Sequence, residues 1–406
     1  MSTDYDLVIV GAGMVGASLA LALAQSGLRI AVIERVARDQ ESQPSYDDRG
    51  IALSLSSQRI FSAMDVWSRL ATVANPIKKV HVSDKGHFGK VRMDAASLRL
   101  DALGYVVIAR ELGGVLLSSL KEYENIDLIC PASILEFTNT DKQYSLSIEA
   151  DGKRKELNSR LLVAADGTHS DIRAQLGIQA SEVDYQQTAI VSNVTAEFSH
   201  ENTAFERFTE HGPLAVLPLA EKRAVVVQTV AAEQAEYFLG LTDEHYIEEI
   251  VNRFGRRLGS LQRIGKRQAY SIVQVQSDQQ VANRAVLLGN AAHTIHPNGA
   301  QGFNLCLRDV AGLAEQIQQA RESDVDIGSQ MVLDAYFLSR KADQATVSRL
   351  AHGMGKWFYN TSLPKSLLRN TAMTALDIFA PAKTHLIRRG MGLSGRQPLA
   401  VRQSVL

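Results

Sequence analysis

Gly11-Ala12-Gly13-Met14-Val15-Gly16 follows the apolar run Leu7–Val10 and leads into Met14–Gln25, a stretch that is apolar nearly all round. A buried strand passing through three spaced glycines into a helix is the context a dinucleotide-binding turn requires. Gly11 allows the tight turn, Gly13 lets the backbone approach a pyrophosphate, and Gly16 lets helix and strand pack closely. The helix start then offers N–H groups and partial positive charge to phosphate oxygens. A second apolar strand, Arg29–Ile33, ends on Glu34, where a carboxylate can accept from ribose hydroxyls. By itself this turn does not separate FAD from NAD.

Two later segments repeat the arrangement of a buried strand that ends in a polar, glycine-containing loop. Leu161–Ala165 runs into Asp166-Gly167-Thr168-His169-Ser170-Asp171-Ile172-Arg173. Taken without its neighbours, that loop reads equally as a ligand site or as an ordinary turn into a capped helix. Ala285–Leu288 runs into Gly289-Asn290-Ala291-Ala292-His293, followed by His296-Pro297-Asn298-Gly299-Ala300-Gln301-Gly302-Phe303-Asn304. The spacing of Leu305, Val310, Leu313, Ala314 and Ile317 predicts a helix over Gly302–Ala320. Glycines just ahead of that helix leave bare amides for a ligand, and its N-terminus would stabilise an anion such as a reduced flavin. His293 and His296 have no acid spaced to assist them, so a structural or cofactor-packing role is expected and no metal site.

The 406 residues leave room for two domains, one inserted in the other. A net charge of -1 gives no reason to expect nucleic acid as a partner, and two isolated cysteines, Cys130 and Cys306, suit a reducing cytosol. No run approaches the roughly 20 apolar residues of a membrane span, so the protein is expected to be cytoplasmic and able to lie on a membrane without crossing it. Gln40–Gly50 is polar, carries Pro44 and reads as a loop. Thr188–Val230 alternates with period two, which predicts an antiparallel sheet. The expected division is a dinucleotide domain over 1–75, 100–180 and 265–350, a sheet domain over 76–99 and 181–264, and a helical tail over 351–406. In the tail, Leu367, Leu368, Ala372, Ala375, Leu376 and Phe379 form an apolar stripe beside Lys365, Arg369, Lys383, Arg388 and Arg389. Packing of that stripe on the body is the default, and contact with anionic lipid is the sharper alternative.

In this order and at these separations the three motifs resemble the group A flavoprotein aromatic hydroxylases. The resemblance implies an α/β fold like that of 4-hydroxybenzoate hydroxylase: a Rossmann-like FAD-binding domain, an inserted antiparallel-sheet substrate domain and a C-terminal helical tail. It implies FAD as cofactor and NAD(P)H as electron donor. Cofactor contacts are carried over to Gly11, Gly13, Gly16, Glu34, Arg49, Arg110, Asp166, Gly167, Arg173, Gly289, Asn290, Gly299, Ala300, Gln301, Gly302 and Asn304. Asn290 departs from the family's usual aspartate, yet an amide still donates and accepts.

His81–His87 and Ala204–Leu214 resemble, more narrowly, the ubiquinone-biosynthesis hydroxylases, in the branch acting on 2-polyprenyl-6-methoxyphenol. That likeness implies oxygen transfer by a flavin C4a-hydroperoxide to give 2-polyprenyl-6-methoxy-1,4-benzoquinol. Pro297 would help position the substrate, and Phe205, Arg207, His211 and Leu217 would form its wall. The implied partners are a polyprenyl phenol, molecular oxygen, a ubiquinone-biosynthesis protein complex and the inner face of the cytoplasmic membrane. A sister hydroxylase acting at another ring carbon, a prenyl reductase of the same fold and a non-catalytic assembly subunit are the alternatives. A flavin halogenase fits less well, because Trp67 and Trp357 stand isolated where that group has a W-x-W motif.

Overall fold

The computed structural model describes residues 4–37, 47–358, 363–395 and 397–402; most of the loop expected at Gln40–Gly50 lies outside them. The leading strand, Tyr5–Val10, has Leu7, Val8 and Ile9 fully buried. A parallel strand covered on both faces has no solvent side, so its sequence reads as one apolar run. It lies between Lys153–Ala164 and Ile30–Ile33, with Ala285–Leu287 beyond the first and Ile126–Ile129 beyond the second, all parallel. Helices Met14–Ala22, Ala109–Leu120 and Gly302–Glu322 cover one face. The other face carries the strands Ala132–Asn139 and Tyr144–Ala150, whose Tyr144, Leu146 and Ile148 pack against Val8 and Leu162.

A second, nine-stranded sheet runs from one edge to the other as His293–Thr294, Gln268–Ser277, Ala180–Ala196, Arg223–Ala231, Gly212–Pro218, Thr203–Thr209, Lys79–Asp84 and Lys90–Asp94, with Leu261–Ile264 beside Ala180–Ala196. Its pairs are antiparallel except Thr203–Thr209 with Lys79–Asp84. One face packs on helix Asp243–Phe254 through Ile190, Phe205, Leu214, Val216 and Val226. The other packs Val191, Ala204 and Val225 against Val106 and Ile108, which belong to a small sheet of Gly50–Ser54, Asn75–Ile77 and Gly104–Ile108. Gln268–Ser277 is part of the large sheet, so that sheet extends past the boundary expected at 264.

Helix Leu363–Ile378 docks on Lys90–Asp94 through polar groups. Arg369 and Asn370 bond Asp84 at 2.5 and 2.9 Å, Gly89 N donates to Asn370 Oδ1 at 2.8 Å, and Arg92 pairs with Asp377 at 2.7 Å. Leu367, Leu368, Ala372, Ala375 and Phe379 consequently face outward, so the stripe expected to pack on the body does not. The following helix, Ala380–Gly390, returns to the body and buries Ile387 beside Ala95 and Leu103.

Candidate functional site

All three glycine motifs leave the same edge of the parallel sheet. Hydrogen bonds of 2.8 Å run in sequence from Gly11 N to Ile33 O, from Ala165 N to Val10 O, and from Leu288 N to Ala164 O. Glu34, Gly11, Asp166 and Gly289 thus begin adjacent loops, although the chain separates the first motif from the third by more than 270 residues. Crevices at such strand ends are where open α/β sheets bind ligands.

At the first motif the glycines are sterically required. Gly11 has φ +100°, and a Cβ there would lie 2.5 Å from Ala165 O. A Cβ on Gly16 would lie 1.9 Å from Gly11 O. Gly13 is the N-cap of Met14–Ala22 and no side chain caps that helix, which leaves its first amides open to a ligand. Glu34 accepts from Ala12 N and Val36 N, both at 2.8 Å, and so fixes the turn beside which it lies.

Asp166 accepts from Ile172 N at 3.1 Å through Oδ2, while its Oδ1 is buried with no partner. Burial raises its carboxyl above the ordinary carboxylate range. Gly167 has φ +94°, a conformation glycine adopts without strain. Arg173 donates to Ala291 O at 2.9 Å and to Thr168 O at 3.1 Å, tying the second motif to the third. Gly289, at φ +63°, abuts Val15, whose methyl a Cβ there would meet at 2.9 Å.

In the third motif Asn290, Pro297 and Gly299 are exposed, whereas Asn298 is buried with its Nδ2 unpartnered. Gln301 donates to Gly299 O at 3.2 Å and to Gly390 O at 3.3 Å, which joins the loop to the tail. Ala300 has φ +52°, and its carbonyl accepts from Asn304 Nδ2 at 2.7 Å. The rest of the Asn304 amide is also used inside the protein, from Ser54 N and Ser57 Oγ and to Ala52 O. The Asn304 side chain therefore braces the loop. Helix Gly302–Glu322 starts without a side-chain cap, so its amides remain available. Arg49 pairs with Asp47 at 2.7 Å and lies 4.5 Å from the Tyr270 ring centre, and Arg110 pairs with exposed Asp48.

These residues fit FAD. Gly11, Gly16 and Gly289 have no room for side chains, and two buried polar atoms, Asp166 Oδ1 and Asn298 Nδ2, await partners on adjoining loops.

One expectation is corrected by the structure. His293 does have an acid: its Nε2 lies 2.6 Å from Asp309 Oδ2, and Asp309 Oδ1 accepts from Arg340 at 2.7 Å, all buried. Asp309 falls one turn from both Leu305 and Leu313, so a charge on the buried stripe was the signal. The expected wall residues do not share one face of the sheet: Phe205 and Arg207 lie on one side and Leu217 on the other. Phe205 faces Phe254, and Arg207 bonds Arg253 O at 3.1 Å, on the face closed by helix Asp243–Phe254. Their neighbours Ala204, Glu206 and Phe208 lie on the face shared with Leu217. His211 sits exposed in the hairpin turn, 3.8 Å from Glu210. His296, fully buried, stacks edge-on with Tyr185, which in turn reaches His352 at 2.6 Å; no sequence motif marked Tyr185.

The profile of a family described as FAD binding domain matches residues 4–350. Ubiquinone hydroxylase UbiL of Rhodospirillum rubrum is 32% identical, covering 95% of this chain and 89% of that one. The 3-demethoxyubiquinol 3-hydroxylase of Escherichia coli is 29% identical, covering 96% and 98%. Among solved structures, p-nitrophenol 4-monooxygenase PnpA of Pseudomonas putida superposes with a TM-score of 0.81 at 19% identity, covering 98% and 100%, a likeness of fold. With the cradle, the strand order and these relatives together, the chain belongs to the FAD-binding-domain family, among its ubiquinone hydroxylases, and is an FAD-dependent monooxygenase.

Proposed function

We propose that this monooxygenase hydroxylates a polyprenylated phenol in ubiquinone biosynthesis: 2-polyprenyl-6-methoxyphenol, at the carbon para to its hydroxyl, giving 2-polyprenyl-6-methoxy-1,4-benzoquinol. The observation carrying the reading is the apolar sheet face, with Val191, Leu217, Val225 and Val227, which packs on Val106 and Ile108 and reaches Gly50, beside Arg110 and Arg49. Bound FAD, reduced by NAD(P)H, supplies the activated oxygen. The chain's own residues hold and enclose. The Gly11–Gly16 turn and Glu34 would take the dinucleotide's phosphates and ribose, with Asp166, Gly167 and Arg173 shaping the adjoining loop. Gly289, Asn290 and the open amides at Gly299–Gly302 would meet its ring end. The apolar face excludes water, and Pro297, exposed above the loop, would limit where the ring can lie. A phenol oxygen activates ortho and para carbons. Prenyl and methoxy groups fill both ortho positions, which leaves para.

Such a substrate resides in lipid. Among the described residues no helix is long and apolar enough to cross a membrane. The tail supplies another route: Leu367, Leu368, Ile378 and Phe379 are each at least 60% exposed, with cationic Lys365 and Arg388 also exposed. This face would lie on anionic lipid at the inner surface of the cytoplasmic membrane. Mass spectrometry of a gene-deletion strain tests the substrate. Accumulation of the methoxyphenol is expected; a demethoxyquinone, the class of compound named for the Escherichia coli relative, would reassign the chain to a sister step. Oxygen-18 from labelled O2 should enter the product, which a prenyl reductase would not achieve.

A further inference from the structure

Across the sheet face that packs on Val106 and Ile108, the strand leading into Arg110, paired positions form the row Val82, Glu206, Ala215, Val227 and Val191. Glu206 is the one charged member of that row. Val82, Glu206, Ala215 and Val227 all stay partly accessible, whereas Phe205, Leu214, Val216 and Val226, the positions beside them on the opposite face, are buried. The row therefore borders open space, while the reverse of the sheet is closed by its helix. Two strand positions from Glu206 is Ala204, which packs with Val106 and Ile108, just ahead of Arg110.

Another carboxylate on this face, Asp84, is held through its Oδ2 by Arg369 and Asn370. Glu206 has no hydrogen bond or ion pair among the described residues, and burial pushes its carboxyl up to about 7. A carboxylate set among valines and left without a partner costs stability, so its place in the row calls for a ligand that donates a hydrogen bond.

We propose that Glu206 is the substrate-binding residue that accepts a hydrogen bond from the phenol hydroxyl and so fixes which ring carbon lies over the cofactor. This rests on the phenol reading above and adds the group that recognises the phenol. An acceptor on that oxygen also raises electron density at the ortho and para carbons, which favours electrophilic hydroxylation. The apolar neighbours hold the ring by contact and cannot tell a phenol from the same ring without its hydroxyl. Glu206 can.

The test uses the oxidised holoenzyme at pH 8, without reductant. A short-chain 2-alkyl-6-methoxyphenol and the same ring lacking the hydroxyl are titrated while the flavin absorption band is followed. The wild-type protein should bind the phenol at least tenfold more tightly than the deoxy ring. Glu206→Ala should bring that ratio close to one, by weakening the phenol and not the deoxy ring, with FAD content unchanged. Glu206→Gln, which keeps an acceptor oxygen, should retain part of the preference. An unchanged ratio in Glu206→Ala, or no preference in the wild-type protein, overturns the assignment. The function is scored separately on the same preparation with NAD(P)H and oxygen. Preference without hydroxylation would overturn the reaction and keep Glu206, and hydroxylation without preference would do the reverse.

Discussion

Asp309 is buried with both carboxylate oxygens committed, to His293 and to Arg340, and Arg340 reaches on to Asp343, which holds Arg308. Burial alone would raise its pKa, but the Arg340 guanidinium and His293 outweigh that and hold it below the ordinary range. The cluster lies under the third motif and links it to helices Gly302–Glu322 and Gln330–Phe358. Asp309→Ala would strand a buried guanidinium, and a loss of about 3–5 kcal/mol in urea unfolding is expected. A loss below about 1 kcal/mol would mean that the remaining Asp343 suffices. At this scale the sequence was uneven. The glycine positions were legible because a tight turn and a close backbone approach are local demands. The face each strand residue takes was not, because strand side chains alternate and a shift of one position exchanges Phe205 for Glu206.

The tail shows what periodicity leaves open. Leu367, Leu368 and Phe379 announced a helix, yet not which side the body would take. That was decided by Asp84 and Gly89, nearly 300 residues earlier, whose bonds to Arg369 and Asn370 turn the polar side inward. A helix docked in this way leaves Leu367, Leu368 and Phe379 exposed. Replacing Leu367 and Leu368 together by Ser should weaken binding to anionic liposomes in co-flotation by about a hundredfold or more, given ~1.5–3 kcal/mol per buried leucine. FAD content should stay constant, since neither side chain touches the body. Undiminished flotation would remove this face as the lipid contact. Deleting the whole tail is a poorer experiment, because Gln301 bonds Gly390 O and Ser56 N bonds Met391 O beside the cradle.

For the molecule as a whole, the two sheets meet around His293–Thr294, and His296 just beyond is sealed between them against Tyr185. Burial lowers the pKa of His296 to about 4. A histidine kept neutral in the fold but ionising near 6.5 when unfolded supports stability above pH 6.5, and its contribution drains away as pH falls toward 4. His296→Gln should therefore flatten the acid limb of the stability profile by up to about 1.4 kcal/mol per pH unit between those values. Denaturant midpoints at pH 7, 6 and 5 would show it, and parallel profiles for the two proteins would refute it. The layered architecture was readable from strand–turn–helix grammar, while the reach of Gln268–Ser277 into the second sheet was not, because pairing partners so distant leave no local trace. The order of the parallel strands also bears on synthesis. Tyr5–Val10 emerges first, but its neighbour on one side arrives with residues 161–164, and the strand bearing Gly289 must then pair outside that one. At roughly 5–20 residues per second the ribosome needs on the order of 15–60 s to deliver it. Until then the nascent chain displays an unclosed sheet edge and lacks the third glycine motif, so cofactor capture waits for about the first 300 residues, and a chain released before that point is a substrate for chaperones and proteases.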